Sequence, residues 1–410
     1  MTKRVLQIAA SLLLLHAHTG LALQQQHPRT LYKADSLVRA AVHVDHLPGA
    51  VLLVAQDGGI VFHKAYGHAK RYAFGGTQLA APEMMTITHQ FDVASLTKVF
   101  ATTFGIMMLV DAGEITLDDP VHRHLALFTG PDKDSVTVRH LLTHTSGLHP
   151  WKPLYYHASS AEETYAYISK LALAAPVGQT RRYSDLGFML LGYLIEEISG
   201  QSLDDFLQNR LYKRLGLQHT SFTPAEGPFV ATSHGNPFEK RMVADDDFGY
   251  VCDEIPESFT DWRTYVLQGE VNDGNAFHAN EGGAGHAGLF STAAELNTLL
   301  SLLLNKGEHE EQQLISRDVI EAFLTPTETG HGLGWAMAAP TLPVDAPPPG
   351  TFGHTGFTGT FAVAVPAAGL SIILLTNRQQ TNVGPDGRYM SLTSLRKSVV
   401  SAVLEMDNLH

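Results

Sequence analysis

The chain has 410 residues, 44% of them hydrophobic, and carries 28 Lys and Arg against 41 Asp and Glu for a formal net charge of −13. That length allows a large core and roughly two structural lobes, and the acidic balance gives no electrostatic footprint for nucleic acid or an anionic membrane. The single cysteine, Cys252, excludes an internal disulfide, which suits a bacterial periplasm without identifying a compartment.

Residues 1–22 read as a secretory signal: Lys3 and Arg4 form a positive start, Val5 to Leu15 an apolar core, and Gly20-Leu21-Ala22 a small-residue cleavage site. The apolar core is too short to span a bilayer as a helix, and no cysteine follows it to carry a lipid. The expectation is an exported protein, periplasmic or secreted, with no stable membrane span after cleavage. Repeats, coiled-coil heptads and a second hydrophobic span are not evident.

A helix is expected from Asp35 to Val44, then strands at Gly49 to Ala55 and Ile60 to Tyr66, joined by Asp57-Gly58-Gly59, which supplies the positive φ a tight hairpin needs. An apolar helix follows from Ser95. From about 116 to 216 the pattern is helical, with Val138 to Thr143 stopped near Gly147, Leu186 to Ile198 stopped by Gly200, and Leu203 to Leu215 capped by Ser202 and stopped by Gly216. Residues 217–284, rich in Gly, Pro, Asn and Asp and containing Asp245-Asp246-Asp247, read as long loops around a cleft. Thr292-Ala293-Ala294-Glu295 reads as a capping box opening a helix through Leu304. Strands are expected at Gly334 to Met337, Thr351 to Gly356, Gly359 to Val365 and Leu370 to Thr376, and a last helix from Ser391 to Leu404. Strands at both ends with helices between predict an α/β fold in which the termini share one sheet: a sheet lobe over about 30–110 and 285–410, and an inserted helical and loop lobe over about 111–284.

Ser95 and Lys98, in Phe91-Asp92-Val93-Ala94-Ser95-Leu96-Thr97-Lys98, place a hydroxyl and an amine three residues apart at a helix start. Positions i and i+3 lie side by side on a helix, and a serine hydroxyl becomes a nucleophile only with a base in hydrogen-bond reach. A lysine serves if burial or a positive field lowers its pKa. The second Ser-x-x-Lys, Ser394 to Lys397, reads as a solvated helix face. Two further elements follow Ser95 in order: Tyr183-Ser184-Asp185, 88 residues on (183 − 95), and His354-Thr355-Gly356, another 171 on (354 − 183).

This ordered set resembles the serine β-lactamase and penicillin-binding protein superfamily, with its Ser-x-x-Lys, Tyr-x-Asn and Lys-Thr-Gly or His-Thr-Gly motifs. It is most similar to the class C-like branch, which includes D-alanyl-D-alanine carboxypeptidases, D-amino-acid peptidases and carboxylesterases. Leu117-Asp118-Asp119-Pro120, Val138 to Gly147, Gly285 to Thr292 and His354 to Thr360 carry the likeness along the mature chain. The resemblance implies a serine β-lactamase-like fold, an antiparallel sheet from both chain ends flanked by helices, with the site where the lobes meet.

It also implies acyl transfer through a Ser95 ester. Lys98 or the Tyr183 phenol takes the serine proton; the sequence leaves open which. The backbone N–H groups of Ser95 and Phe357 form the oxyanion hole. His354, mostly neutral at pH 7 but able to gain charge beside a carboxylate, joins Thr355 and Gly356 in holding substrate. Asp185 belongs to the same substrate-holding set but departs from the usual asparagine: it only accepts hydrogen bonds, and pairing with Lys98 would keep the amine charged, which tells against efficient β-lactam hydrolysis.

The reading is an exported serine hydrolase acting on a small-molecule or peptide acyl substrate, foremost a peptidoglycan stem peptide ending in D-alanine. The alternatives are a class C-like carboxylesterase or weak β-lactamase, and a non-catalytic binding or assembly protein on the same fold. A cationic pocket for a terminal carboxylate favours the peptidase, and an apolar pocket the esterase. No cofactor is expected. No metal is expected either: His140 and His144 are four apart, but no Glu completes a His-Glu-x-x-His pattern, so His144 and His286 read as structural hydrogen-bonders. A Gly-x-Ser-x-Gly elbow is absent, which disfavours an α/β-hydrolase.

Overall fold

The structure is a computed structural model describing residues 29–43, 47–224, 226–338, 342–384 and 386–405. The predicted signal, 1–22, lies outside the described residues.

Helix α1 (Arg29–His43) begins six residues before the expected Asp35. Strands β1 (Gly49–Gln56) and β2 (Gly59–Tyr72) follow, joined by a turn with Asp57 at φ 50° and Gly58 at φ 79°. Strand β2 overruns its expected end because its far half pairs with an unanticipated edge strand, β3 (Gln78–Met84). That strand carries Pro82, which an edge position tolerates. From the far end of the chain come β4 (Phe352–Thr355), β5 (Phe361–Val365) and β6 (Leu370–Thr376). They complete a six-stranded antiparallel sheet of order β4-β5-β6-β1-β2-β3, so the two ends of the chain do share one sheet.

The central strand β1 is covered on both faces, which is why Gly-Ala-Val-Leu-Leu-Val-Ala reads as one apolar run. Its alternate side chains serve two cores. Ala50, Leu52 and Val54 pack with Leu31, Ala34 and Val38 of α1 and with Val399, Val400 and Val403 near the C-terminus. Val51 and Leu53 pack with Phe100, Phe104 and Met107 on the opposite face. That second layer is built on α2 (Ala94–Asp111). The run is apolar and long enough to cross a membrane, but 83% of it is buried inside the protein.

Helix α3 (Asp185–Ser199) has Ser184 as N-cap and ends at Gly200 in the left-handed region. Segment 217–284, expected as loops, holds among its described residues two short α-helices, α4 (Pro237–Ala244) and α5 (Gly274–Ala279), besides a 3₁₀ turn and two short paired strands. Helix α6 (Ala293–Leu304) starts at Thr292, whose hydroxyl accepts from Glu295 N. The Glu295 carboxylate does not return to the cap; it takes the N–H groups of Gln218 and His219 and the hydroxyl of Thr220. Gly334 to Met337 is not a strand: only Ala336 bridges, to Gly353. Helix α7 (Thr393–Leu404) closes the fold. There Lys397 pairs with Asp345 at 2.6 Å on the surface, so the second Ser-x-x-Lys is a solvated face as expected.

Candidate active site

Phe91–Asp92 pairs with Phe290–Ser291, which aims the following residues at the sheet edge beside β4. Asp92 then folds the chain back: its carboxylate accepts from Ala94 N at 2.8 Å and from Asn272 N at 2.6 Å. Burial raises the Asp92 pKa to about 6 against the pull of those two N–H groups. Ala94 sits at φ 49°, an unfavourable conformation for a residue with a Cβ, immediately before the nucleophile candidate. Ser95 lies on a 3₁₀ turn (Ala94–Leu96), and Lys98 opens a widened π turn (Lys98–Thr102) before regular helix begins at Thr103. The expected plain helix start is therefore replaced by an irregular one, and such π turns recur at functional sites.

Lys98 is fully buried, and its Nζ reaches three acceptors: Ser95 Oγ at 3.1 Å, His286 O at 3.0 Å and Asp185 Oδ1 at 2.7 Å. An ammonium has three N–H donors, so this set matches the charged form. Burial works to lower the Lys98 pKa, but Asp185 and Tyr183 outweigh it and the net shift is upward. The loop carrying His286 is locked by Thr102 Oγ1 donating to Gly285 O at 2.6 Å and by Leu289 N donating to Thr97 Oγ1 at 3.1 Å.

Tyr183 packs its ring 4.6 Å from that of His144 and 5.0 Å from Lys98 Nζ. Burial raises its pKa, while Lys98 and hydrogen bonds to Lys98 and Ser95 oppose the rise. His144 Nδ1 accepts from Ser184 N at 3.1 Å, anchoring the Tyr183 segment. Burial, with Arg181 and Lys98 adding to it, holds this histidine neutral. His286 Nε2 donates to Asp273 Oδ1, 3.0 Å away. Both histidines thus hold structure, as anticipated.

On β4, His354 is buried, with Nδ1 2.9 Å from Thr355 O. Burial and then Lys98 push its pKa down to about 3. The imidazole is neutral at pH 7 and adds no positive charge to the site. A Cβ on Gly356 would meet Thr360 Oγ1 at 2.0 Å and Val93 O at 2.5 Å. The missing side chain therefore lets β4 press against the Ser95 turn. The Phe357 carbonyl accepts from Arg378 Nη2 at 2.8 Å and Gln379 Nε2 at 3.1 Å, which anchors the residue whose N–H is proposed to complete the oxyanion hole.

Ser95, Tyr183 and Phe357 stand where two cavities meet. One, of about 390 Å³, is lined by Arg181, Arg378, Arg396, His354 and Thr355. The other, of about 380 Å³, is lined by Asp185, Glu239, Asp273 and the aromatic residues Trp151, Phe238, Phe248 and Tyr250. The arginines and the Glu239–Asp273 pair were not singled out in the sequence. Each is dispersed over distant segments, and no local spacing marks them.

The β-lactamase family model matches residues 34–395. An N-acetylmuramyl-L-alanine amidase of Bacillus subtilis (strain 168) is 34% identical over 379 residues, covering 87% of this chain and 82% of its own. A protein of Escherichia coli O157:H7, provisionally named D-alanyl-D-alanine carboxypeptidase, is 32% identical over 356 residues, covering 82% and 80%. A class C β-lactamase structure from Rhodobacter sphaeroides superposes with TM-score 0.66 at 18% identity over 91% of this chain and 99% of that one, a likeness of fold alone. With the family match spanning nearly all of the folded chain, this protein belongs to the β-lactamase family and is a serine hydrolase of that family.

Proposed function

We propose that the protein is an exported acyl hydrolase that removes a carboxylate-bearing residue, foremost D-alanine, from a peptide through a Ser95 acyl-enzyme. The cationic cavity carries this reading. Arg396 is 7% exposed, donates one bond to Thr360 O at 2.9 Å and leaves Nε without a partner; Arg181 Nε is likewise unpartnered. Burial, then Arg378, lowers the Arg396 pKa to about 9. No acidic side chain lines this cavity among the described residues. Buried guanidinium groups without a counterion are costly, and a substrate carboxylate reaching them and the Thr355 hydroxyl supplies one. An amidase and a carboxypeptidase, the names of the two relatives, both cleave an amide acyl bond.

In the proposed reaction Ser95 Oγ attacks the acyl carbonyl as its proton passes to the Tyr183 phenolate, a minority form at neutral pH because burial holds the phenol above its ordinary range. Lys98, still an ammonium, stabilises that phenolate. The oxyanion forms against the N–H groups of Ser95 and Phe357. Tyr183 returns the proton to the departing amine, and water cleaves the ester by the reverse path.

The test is release of D-alanine from an N-acyl-D-alanyl-D-alanine peptide and from its C-terminal amide. The expected result is a loss of 100-fold or more in kcat/KM on amidation, with a Ser95-dependent mass gain after benzylpenicillin. Equal turnover of acid and amide overturns the carboxylate reading. Export is proposed from the N-terminal segment alone, and a mature N-terminus other than one near Ala22 would overturn it.

A further inference from the structure

The second cavity differs from the first in charge and in wall. Its rings surround two neighbouring carboxyls brought in by segment 217–284. Glu239 of α4 is 8% exposed, with Oε1 accepting from Gly274 N at 2.8 Å and Oε2 carrying no hydrogen bond. Asp273, one residue before that N–H, accepts from Ala276 N at 2.8 Å and faces His286 Nε2 at 3.0 Å. Trp151 and Tyr250 stack at 5.9 Å, and Phe238 and Phe248 meet edge to face at 4.7 Å. π faces beside desolvated carboxyls are the surroundings that bind an organic ammonium.

We propose that this aromatic, Glu239–Asp273 side of the site is a subsite for a primary ammonium on the acyl portion of the substrate. The assignment of the acyl side rests on the carboxypeptidase reading, which gives the leaving group and its carboxylate to the arginines across Ser95. The substrate class is thus a dipolar peptide, cationic before the scissile bond and anionic after it.

Asp273 has His286 as its partner, but among the described residues no lysine or arginine forms an ion pair with Glu239. Arg263, the nearest buried candidate, is committed to Asn236 Oδ1, Val271 O and Asn272 O at 2.8, 2.5 and 2.6 Å. Arg388 lies 4.7 Å over the Phe248 ring at the cavity wall, and Lys98 belongs to Asp185. Asp92 stands behind Asn272 and adds a further buried carboxyl. Burial and Asp273 hold the Glu239 pKa up at about 8, while Asp273, despite its burial, is brought down to about 2 by His286 and the α5 N–H. One of two adjacent carboxyls therefore keeps its proton at neutral pH, and an arriving ammonium displaces it.

The experiment compares Nα-acetyl-L-lysyl-D-alanyl-D-alanine with its Nε-acetylated counterpart. The free amine is expected to be cleaved with at least tenfold higher kcat/KM, and Glu239→Gln to bring that ratio to about one. A wild-type ratio near one, or an unchanged ratio in a folded Glu239→Gln protein, overturns the subsite. If neither peptide is cleaved, the carboxypeptidase reading fails on its own. The subsite is then judged by calorimetry of the wild type with Nα-acetyl-L-lysine amide and its Nε-acetyl form. Selective binding of the amine with proton release at pH 7 supports it, and equal or absent binding overturns it. The calorimetric arm also decides the matter if Glu239→Gln does not fold.

Discussion

Asp185 Oδ1 lies 2.7 Å from Lys98 Nζ, so the residue that departs from the asparagine of the resembled motif is the counterion of the site's lysine. An asparagine there can donate to a substrate carbonyl; this carboxylate can only accept. The exchange gives up a substrate donor for a fixed ammonium beside Ser95 and Tyr183.

Asp185→Asn removes the group that does most to hold the Lys98 pKa up, leaving burial to lower it. The alkaline limb of the kcat/KM profile is expected to move down by about one pH unit or more, since one unit corresponds to only about 1.4 kcal/mol of differential interaction. The same variant is expected to react faster with benzylpenicillin. A profile that does not move separates Lys98 from the titrating step.

Ser95→Ala is expected to abolish acyl turnover with a melting temperature within about 2 °C of wild type, because surface-like substitutions of this kind stay within about 0.5 kcal/mol. Lys98→Ala is expected to behave differently. It strands Asp185, 18% exposed at its side chain, beside a buried gap. A loss of about 3 kcal/mol follows from breaking such a pair, together with loss of acylation. Denaturant unfolding and intact-mass measurement of the adduct check both.

Gly285→Ala tests the loop that positions Lys98. A Cβ at Gly285 would lie 2.1 Å from the Phe188 carbonyl oxygen, and backbone must move to admit it. The next residue supplies the carbonyl that accepts from Lys98. Activity is expected to fall at least tenfold with Ser95 and Lys98 both intact, the drop appearing in kcat.

His354 is buried neutral with a pKa of about 3 against an ordinary 6.5. A depressed histidine contributes stability above the unfolded value that is lost as pH falls, because only the unfolded chain takes up the proton. The stability of wild type relative to His354→Asn is therefore expected to decline between pH 6.5 and about 3. Melting curves of the two proteins over that range measure it.

Motif residues were legible because their chemistry is tied to local spacing. Ser95 and Lys98 are three apart, and Tyr183 stands just before a helix whose cap, Ser184, is itself readable. Strand β6 was legible to the residue, its apolar run bounded by Gly369 and Asn377. Arg181, Arg378 and Arg396 were not, because they converge from three distant segments and an arginine in isolation is most often solvated. Glu239 was hidden for the same reason, in a segment whose turn-rich composition masked two short helices. Gly334 to Met337 misled because its apolar side chains are buried without a strand ladder; the single Ala336 bridge is all it forms.

The placement of β1 between β2 and β6 has a consequence for synthesis. Its second neighbour begins at Leu370, 321 residues after Gly49 (370 − 49), so one row of β1 amides stays without its partner until that strand has been made. A pairing this remote makes folding slow. Until β6 has been made, the central strand of the nascent chain is open on that side. Truncations short of β6 are expected to aggregate rather than yield a smaller working enzyme.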